Sequence, residues 1–433
     1  MELPAFGMPS RMLATGVVDE DGYLRENPSE PAWNLLLVTG PVDVPRLEAA
    51  VAVVTSASDV LHLRLRATPA GPKLVSGSWP PFTLEVLEVA APVVDGRLAP
   101  EVAGKLRALL FDKLDLRTSA AGRVCLVRGD GDQHLLALSF DHSVLDGWSM
   151  TLVSRAIAQC YRYGSYTPRG PSFREYVASL PPDADDSLAV WKDLLARYPL
   201  PGPALRFPGG GSKAPESFEI NGWHDATFPA SFADDLTVAV KQTGLSRAEL
   251  LTAATGLAFR LWSDGPQPIL SVRHGHSRPE DVLVVGPLVE SYVIFPPAGA
   301  PDTVSAWLAG HAPANAVAPP LHGHSIREVA PLAPRHAALN IVPPARPLVF
   351  GPSTKAVTAP REFLAPLWAD GRPSVPSSAA VWVNYFLDSP GRIEISVTCD
   401  RELLPDASVL SDTVVAVVAA AAHAPNTRLA ELP

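Results

Sequence analysis

One stretch of the sequence joins a residue able to move a proton with a backbone able to hold it still: Ser139-Phe140-Asp141-His142-Ser143-Val144-Leu145-Asp146-Gly147-Trp148-Ser149. An apolar run ends, a histidine follows, an aspartate stands four residues further on, and a glycine opens the next segment. A histidine at a strand end projects into a cleft with its ring held by packing. With an ordinary pKa of about 6.5, His142 can take a proton from an incoming nucleophile at neutral pH. Asp146 is placed to turn away from the ring and anchor the turn to an arginine. Gly147 lets the backbone come close to a substrate or to the imidazole. A lone histidine beside a turn is more often structural, so the spacing by itself leaves both readings open.

Other groupings carry less chemistry. His274-Gly275-His276 and His322-Gly323-His324 alternate as metal ligands do, yet no carboxylate-rich scaffold accompanies them, and no metal is expected. Gly209-Gly210-Gly211-Ser212-Lys213 lacks the spacing of a phosphate loop and reads as a flexible loop. No Gly-x-Ser-x-Gly elbow occurs, which leaves serine-hydrolase chemistry without a foothold. Cys125, Cys160 and Cys399 are too few and too scattered for a disulfide framework or a zinc knuckle, and they point to a reducing compartment.

The elements that must position His142 are legible nearby. Val124 to Arg128 and Leu135 to Phe140 are apolar runs separated by Gly129-Asp130-Gly131-Asp132, a hairpin signal. Gly147 to Tyr163 follows with helical periodicity, its apolar positions at Met150, Leu152, Val153, Ile157 and Tyr161. Earlier, Leu35 to Val38 and Leu61 to Arg66 read as strands around a helix opened by Asp43 and Pro45. Later, strands are expected near Trp223 to Phe228, Ile269 to Val272, Leu339 to Val342, Ala380 to Leu387 and Arg392 to Thr398. Helices are expected over Leu188 to Arg197, Ser231 to Thr243, Ser246 to Trp262 and Asp406 to Ala422. Strands and helices alternate without strict βαβ regularity, which suits an α+β protein of two layered halves. The Pro- and Asp-rich stretch Pro181 to Asp186 divides them, giving an N-terminal half 1–180 and a C-terminal half 181–433.

Composition narrows the class further. The 433 residues are 47% hydrophobic and 18% charged, a globular balance, and 46 prolines mark many punctuated loops. A formal net charge of −10 argues against sequence-independent nucleic-acid binding, which needs a basic footprint. Met1 to Met12 carries no basic segment followed by an apolar run, and the apolar run Val414 to Ala422 is about half a membrane span. The expectation is a cytoplasmic protein with neither nucleic-acid nor membrane partners.

His-x-x-x-Asp-Gly after an apolar strand near residue 140 resembles the condensation domains of nonribosomal peptide synthetases, within the chloramphenicol acetyltransferase-like superfamily. The resemblance runs over residues 35 to 420. Phe111-Asp112 and Leu114 to Arg123 resemble the family's Phe-Asp-Leu segment and the arginine-bearing strand after it. Leu188 to Leu195, with Trp191, resembles the lead into the second half, and Leu245 to Leu261 the helix before the family's Gly-Arg segment. Ser277-Arg278-Pro279 and Val285-Gly286-Pro287-Leu288 resemble that segment and the Gly-Pro-Phe run after it. Leu339-Asn340 resembles the Phe-Asn strand, and Arg392 to Leu404 the closing strand and its turn.

The resemblance implies a V-shaped pair of similar halves with an active-site tunnel between them. It implies an acyl donor that arrives as a thioester on the phosphopantetheine arm of an acyl or peptidyl carrier protein, and a small amine or alcohol acceptor. No bound cofactor is implied. His142 becomes the catalytic histidine, as general base or as stabiliser of the tetrahedral intermediate. Asp146, Gly147 and Asp141 become structural, with Arg278 the first choice of partner for Asp146 and Arg123 the second. Trp148, Ser149, Ser291, Asn340 and Asn384 become candidates to line the tunnel. A chain of this length leaves no room for adenylation or carrier domains, so a free-standing enzyme is expected.

The departures define the alternatives. Asp141 stands where the family usually has a second histidine, Glu290-Ser291 where it has Asn-Thr, and Phe295 where an arginine often stands. Asp141, Asp146 and Ser149 also fit the Asp-x4-Asp-x2-Ser signature of heterocyclisation domains, and Ala380 to Asn384 resembles their Val-Trp-Leu-Asp segment. There the acid is replaced by Asn384, whose amide cannot accept a proton, and Asn340 falls where a cyclisation threonine is expected. Condensation is preferred. Heterocyclisation, acyl-coenzyme A-dependent transfer and a catalytically silent recruitment role are the alternatives.

Overall fold

A buried strand and its neighbours decide where His142 stands. The structure, a computed structural model, describes the chain except residues 1, 6–8, 10–11, 14–15, 28–30, 181–188, 191, 194–195, 197–205, 212, 214–217, 264–268, 275–278, 298–300, 316–336, 343–346, 369–374, 377–378, 390–391 and 433. The chain divides into two compact units. The first comprises Met1–Asp183, His274–Glu290 and Ala345–Asp370, and the second the remainder. Two segments expected with the C-terminal half, 274–290 and 345–370, therefore pack in the first unit.

In the first unit, strand β1 (Ala32–Thr39) leads into helix α1 (Val44–Ala57). Asp43 caps α1 by accepting from the Arg46 amide, and Pro45 sits in its first turn, where the missing N–H costs nothing. Strand β2 (Leu84–Glu88) and helix α2 (Pro100–Phe111) follow, then β3 (Gly122–Arg128), β4 (Gln133–Phe140) and helix α3 (Gly147–Tyr163). Strand β4 runs antiparallel to both β1 and β3, and β3 runs parallel to β2. Strands 348–349 and 355–358, from the second excursion, extend this six-stranded sheet beyond β1.

Strand β4 is buried on both faces, which explains its nearly continuous apolar run. Leu136, Leu138 and Phe140 pack with Val51 and Val54 of α1 and Val153 and Ile157 of α3. Leu135 and Ala137 pack on the opposite side with Val102, Leu106 and Leu110 of α2. Sequence reading passed over α2 and β2: α2 has no side-chain N-cap, and β2 is mostly exposed, so neither carries a strong local signal. Helix α3 has the bounds its periodicity predicts, because Asp146 caps its start and Gly164, at φ 74°, ends it in the left-handed conformation.

In the second unit, strand β5 (Gly222–Thr227) precedes helices α4 (Ala230–Thr243) and α5 (Arg247–Leu261). Ser246 and Glu249 form the capping box expected at the start of α5. Strands β6 (Ile269–His274), β7 (Val289–Ile294), β8 (Ala337–Val342), β9 (Val381–Ser389) and β10 (Arg392–Cys399) follow, then helix α6 (Ser408–His423). They form a second six-stranded sheet in the order β5-β10-β9-β8-β6-β7. Its apolar face, with Val383, Tyr385, Ile395 and Val397, packs under α4, α5 and α6. The helix expected over 188–197 falls largely outside the described residues.

The three cysteines are free and buried. Burial pushes the thiols of Cys125 and Cys399 up to about 12 and raises that of Cys160. Since the thiolate is the reactive form, an aromatic disulfide reagent at pH 8 is expected to modify none of them until denaturant is added. Rapid labelling of the native chain would contradict this burial.

Candidate active site

Strand β4 ends at Phe140, and the chain turns over residues 141–145 before α3 begins. Asp141 closes that turn from both ends. Its amide donates to the Ala121 carbonyl, and its own carbonyl accepts from the amides of Val144 and Leu145, each at 3.2 Å. Its carboxylate Oδ1 accepts from the Ser143 amide at 2.8 Å, an Asx-type turn spanning His142. Val144 and Leu145 are fully buried in the core of the first unit. The backbone of His142 is thus fixed on both sides. The ring is half-buried, with Nδ1 inside.

Asp141 belongs to a buried polar network that sequence reasoning missed. Asn27 donates from Nδ2 to Asp141 Oδ1 at 3.1 Å. Arg64 is 1% exposed and gives its guanidinium to the carbonyls of Leu61, Leu63, Leu116 and Ser119. Burial pulls the Arg64 guanidinium down to about 10, while the nearby Asp141 carboxylate pulls it back up. The guanidinium therefore stays charged at neutral pH, and the four backbone carbonyls together with the nearby Asp141 offset the cost of burying it. Arg64 stands in a Leu-Arg-Leu-Arg run, and nothing local in that alternation says which arginine turns inward.

Asp146 is 0% exposed and does two jobs. Oδ1 accepts from the Ser149 amide at 2.8 Å, capping α3, and Oδ2 accepts from the Leu288 amide at 3.0 Å. The expected arginine partner is not among its described contacts. Arg123 instead donates to the carbonyls of Ala108, Leu109 and Asp112 at the end of α2, and Arg278 lies outside the described residues. The Oδ1 contact is the one a helix N-terminus offers a carboxylate, since its first amides lack intrahelical partners.

The start of α3 holds the segment 282–288 at three points. Besides Asp146, the Trp148 indole Nε1 donates to the Val282 carbonyl at 2.7 Å. Ser149 Oγ donates to the Gly286 carbonyl at 2.8 Å and accepts from the Gly286 amide at 2.9 Å. Gly286 has no room for a side chain, since a Cβ would run into the Phe173 ring. Ser149 is fully buried and both of its hydrogen-bonding functions are used, so it has nothing to offer a substrate and is a latch rather than a lining residue. All three residues of the Asp-x4-Asp-x2-Ser pattern are thereby engaged in holding backbone.

Gly147 is the first, exposed residue of α3. The other candidates belong to the second unit. Asn340 on β8 and Asn384 on β9 are direct partners in register, which their distance in sequence does not foretell. Ser291 lies on β7, and its side chain is outside the described residues. The His-x-His pairs fall wholly or in part outside the described residues. Among the described residues, no group of three His, Cys, Asp or Glu side chains is placed to hold a metal, and no helix is long and apolar enough to cross a membrane.

Comparison with known proteins accords with this geometry. Residues 27–308 match the family described as condensation domain. Nonribosomal peptide synthetase acrB of Aspergillus aculeatus is 26% identical over 284 residues, which cover 62% of this chain and 18% of that protein. The chain therefore spans under a fifth of this curated relative. Among solved structures, the first condensation domain of the calcium-dependent antibiotic synthetase, in complex with a substrate analogue, has a TM-score of 0.77 at 16% identity. That match covers 100% of this chain and 99% of the other. SgcC5 from Streptomyces globisporus has a TM-score of 0.75 at 16% identity, covering 98% and 100%. These likenesses establish the α+β, chloramphenicol acetyltransferase-like fold. With the match extending over most of its length and its turn histidine held in place from both sides, the chain belongs to the condensation-domain family.

Proposed function

We propose that this protein transfers an acyl group from a carrier-protein thioester to an amine or alcohol, forming an amide or ester, with His142 as the proton-handling group. The observation that carries this reading is the immobilised turn: Asp141 fixes the backbone on either side of His142 and the Nδ1 edge is buried. In this reading Nε2 is the ring nitrogen that meets the substrate. It takes the proton from the acceptor N–H or O–H as that atom attacks the thioester carbonyl. The carbon–sulfur bond breaks as the tetrahedral intermediate collapses, and the proton passes to the departing thiolate.

Heterocyclisation is disfavoured by two observations. Asp141, Asp146 and Ser149 are committed to backbone contacts, and Asn384 is an amide where an acid is needed. The deciding experiment incubates the protein with candidate carrier proteins, acyl-loaded and unloaded, and with pools of amines and alcohols, read by intact-protein mass spectrometry. Carrier deacylation to the free thiol, together with a product one water lighter than the sum of the free acid and the acceptor, supports condensation. Loss of a second water supports cyclisation. Turnover of coenzyme A thioesters but not of loaded carriers reassigns the donor. A protein inert to every donor while it captures a partner enzyme supports the recruitment role.

A further inference from the structure

On the second sheet, the face turned away from α4, α5 and α6 carries a row of polar residues. Asn340 on β8 pairs in register with Asn384 on β9, and Asn384 pairs with Ser396 on β10. Their strand neighbours Leu339, Val383, Tyr385, Ile395 and Val397 lie in the helix-side core, so the period-two alternation puts the polar row on the opposite face. Asparagine is depleted in strands, and two of them side by side in a sheet interior call for a reason.

The Asn340 carbonyl sharpens the point. Oδ1 is shut off from solvent and meets no hydrogen-bond partner among the described residues. Asn384, its neighbour in register, does not supply the missing donor. Buried polar atoms are nearly always paired, so an orphan acceptor of this kind marks a place where a donor from outside the chain fits. Nearby charge is balanced: Glu394, on the adjacent row, takes Arg392 at 2.6 Å. Trp382 and Phe386 flank Asn384 two residues either way along β9, on the same face and about 7 Å from it along the strand.

We propose that Asn340 and Asn384 form a binding site for a neutral amide group of the substrate. The ligand N–H donates to Asn340 Oδ1 and Asn384 offers the complementary carboxamide, with Trp382 and Phe386 on either side of the planar group. A carboxamide both accepts and donates, so the pair can answer the N–H and the C=O of a planar amide together, whereas an ester brings no N–H to Asn340 Oδ1. The site deepens the acyl-transfer reading and rests on it only for which molecule brings the amide, the thioester arm or the acceptor.

The test measures binding by calorimetry, without turnover, using two matched probe pairs. The donor-side pair is S-acetyl-N-acetylcysteamine and its analogue with the amide N–H replaced by oxygen. The acceptor-side pair is glycinamide and glycine methyl ester. Wild-type protein is expected to bind one amide about tenfold tighter than its ester, and the pair that shows the preference identifies the source. Asn340→Leu and the smaller, still polar Asn340→Ser are both expected to erase the preference while melting as folded proteins; having two variants covers the case in which one fails to fold. Equal binding of amide and ester in both pairs, no binding of either amide, or a preference retained in a folded Asn340 variant overturns the site. The preference is expected to persist in His142→Ala, so loss of acyl transfer with an intact preference counts against the transfer reading alone.

Discussion

Replacing His142 by alanine is expected to lower acyl transfer by about 10²- to 10⁴-fold, the usual worth of a positioned proton-transfer group. The melting transition should barely move. The side chain is half-buried, while the turn is held by Asp141, Val144 and Leu145 through bonds that do not involve the imidazole. The measurement pairs single-turnover deacylation of a loaded carrier with a thermal melt of the same sample. Full turnover in a His142→Ala protein would remove the histidine from the mechanism. A collapse in stability would make it a packing residue instead.

Asp146→Ala is expected to behave in the opposite way. It deletes the cap of α3, worth about 0.5–2 kcal/mol, and leaves the buried Leu288 amide unpaired, at about 1–3 kcal/mol more. A loss of roughly 1.5–5 kcal/mol in urea unfolding follows. Activity should fall because segment 282–288 loses one of its three attachments to α3, so it should fall in step with the folded fraction. Asp146→Asn, which keeps an acceptor but no charge, should lie between. An Asp146→Ala protein that unfolds at the wild-type urea concentration yet is inactive would make Asp146 a participant in the chemistry.

The two variants separate what a short motif merges. In His-x-x-x-Asp-Gly the aspartate is expected to turn away from the ring, and its carboxylate is spent elsewhere: Asp146 serves the next helix and a segment more than 130 residues away in sequence. Periodicity reads β4 and α3 well because their signals are local, an apolar run and a capped, glycine-ended helix. It reads poorly where the partner is distant. The contact of Asp141 with Asn27, its charge near Arg64, and the contact of Ser149 with Gly286 are long-range and leave no trace in spacing. Of the two arginines expected to pair with Asp146, Arg278 lies outside the described residues and Arg123 is bonded to carbonyls at the end of α2; the Asp146 carboxylate accepts from one amide of its own helix and one from far along the chain.

Strand alternation, capping residues and hairpin glycines act within a few residues of one another, so the elements around the motif, the α+β class and a histidine at a strand end are legible from the chain's own order. Contacts between distant parts of the chain make Asp141 a turn clamp near a buried arginine, spend Ser149 on backbone, and set Asn340 beside Asn384 in one row of a sheet. Those facts depend on which strands pair and which loops return to the first unit. Such pairings are set by burying apolar faces across the whole chain, a sum that no short window of sequence contains.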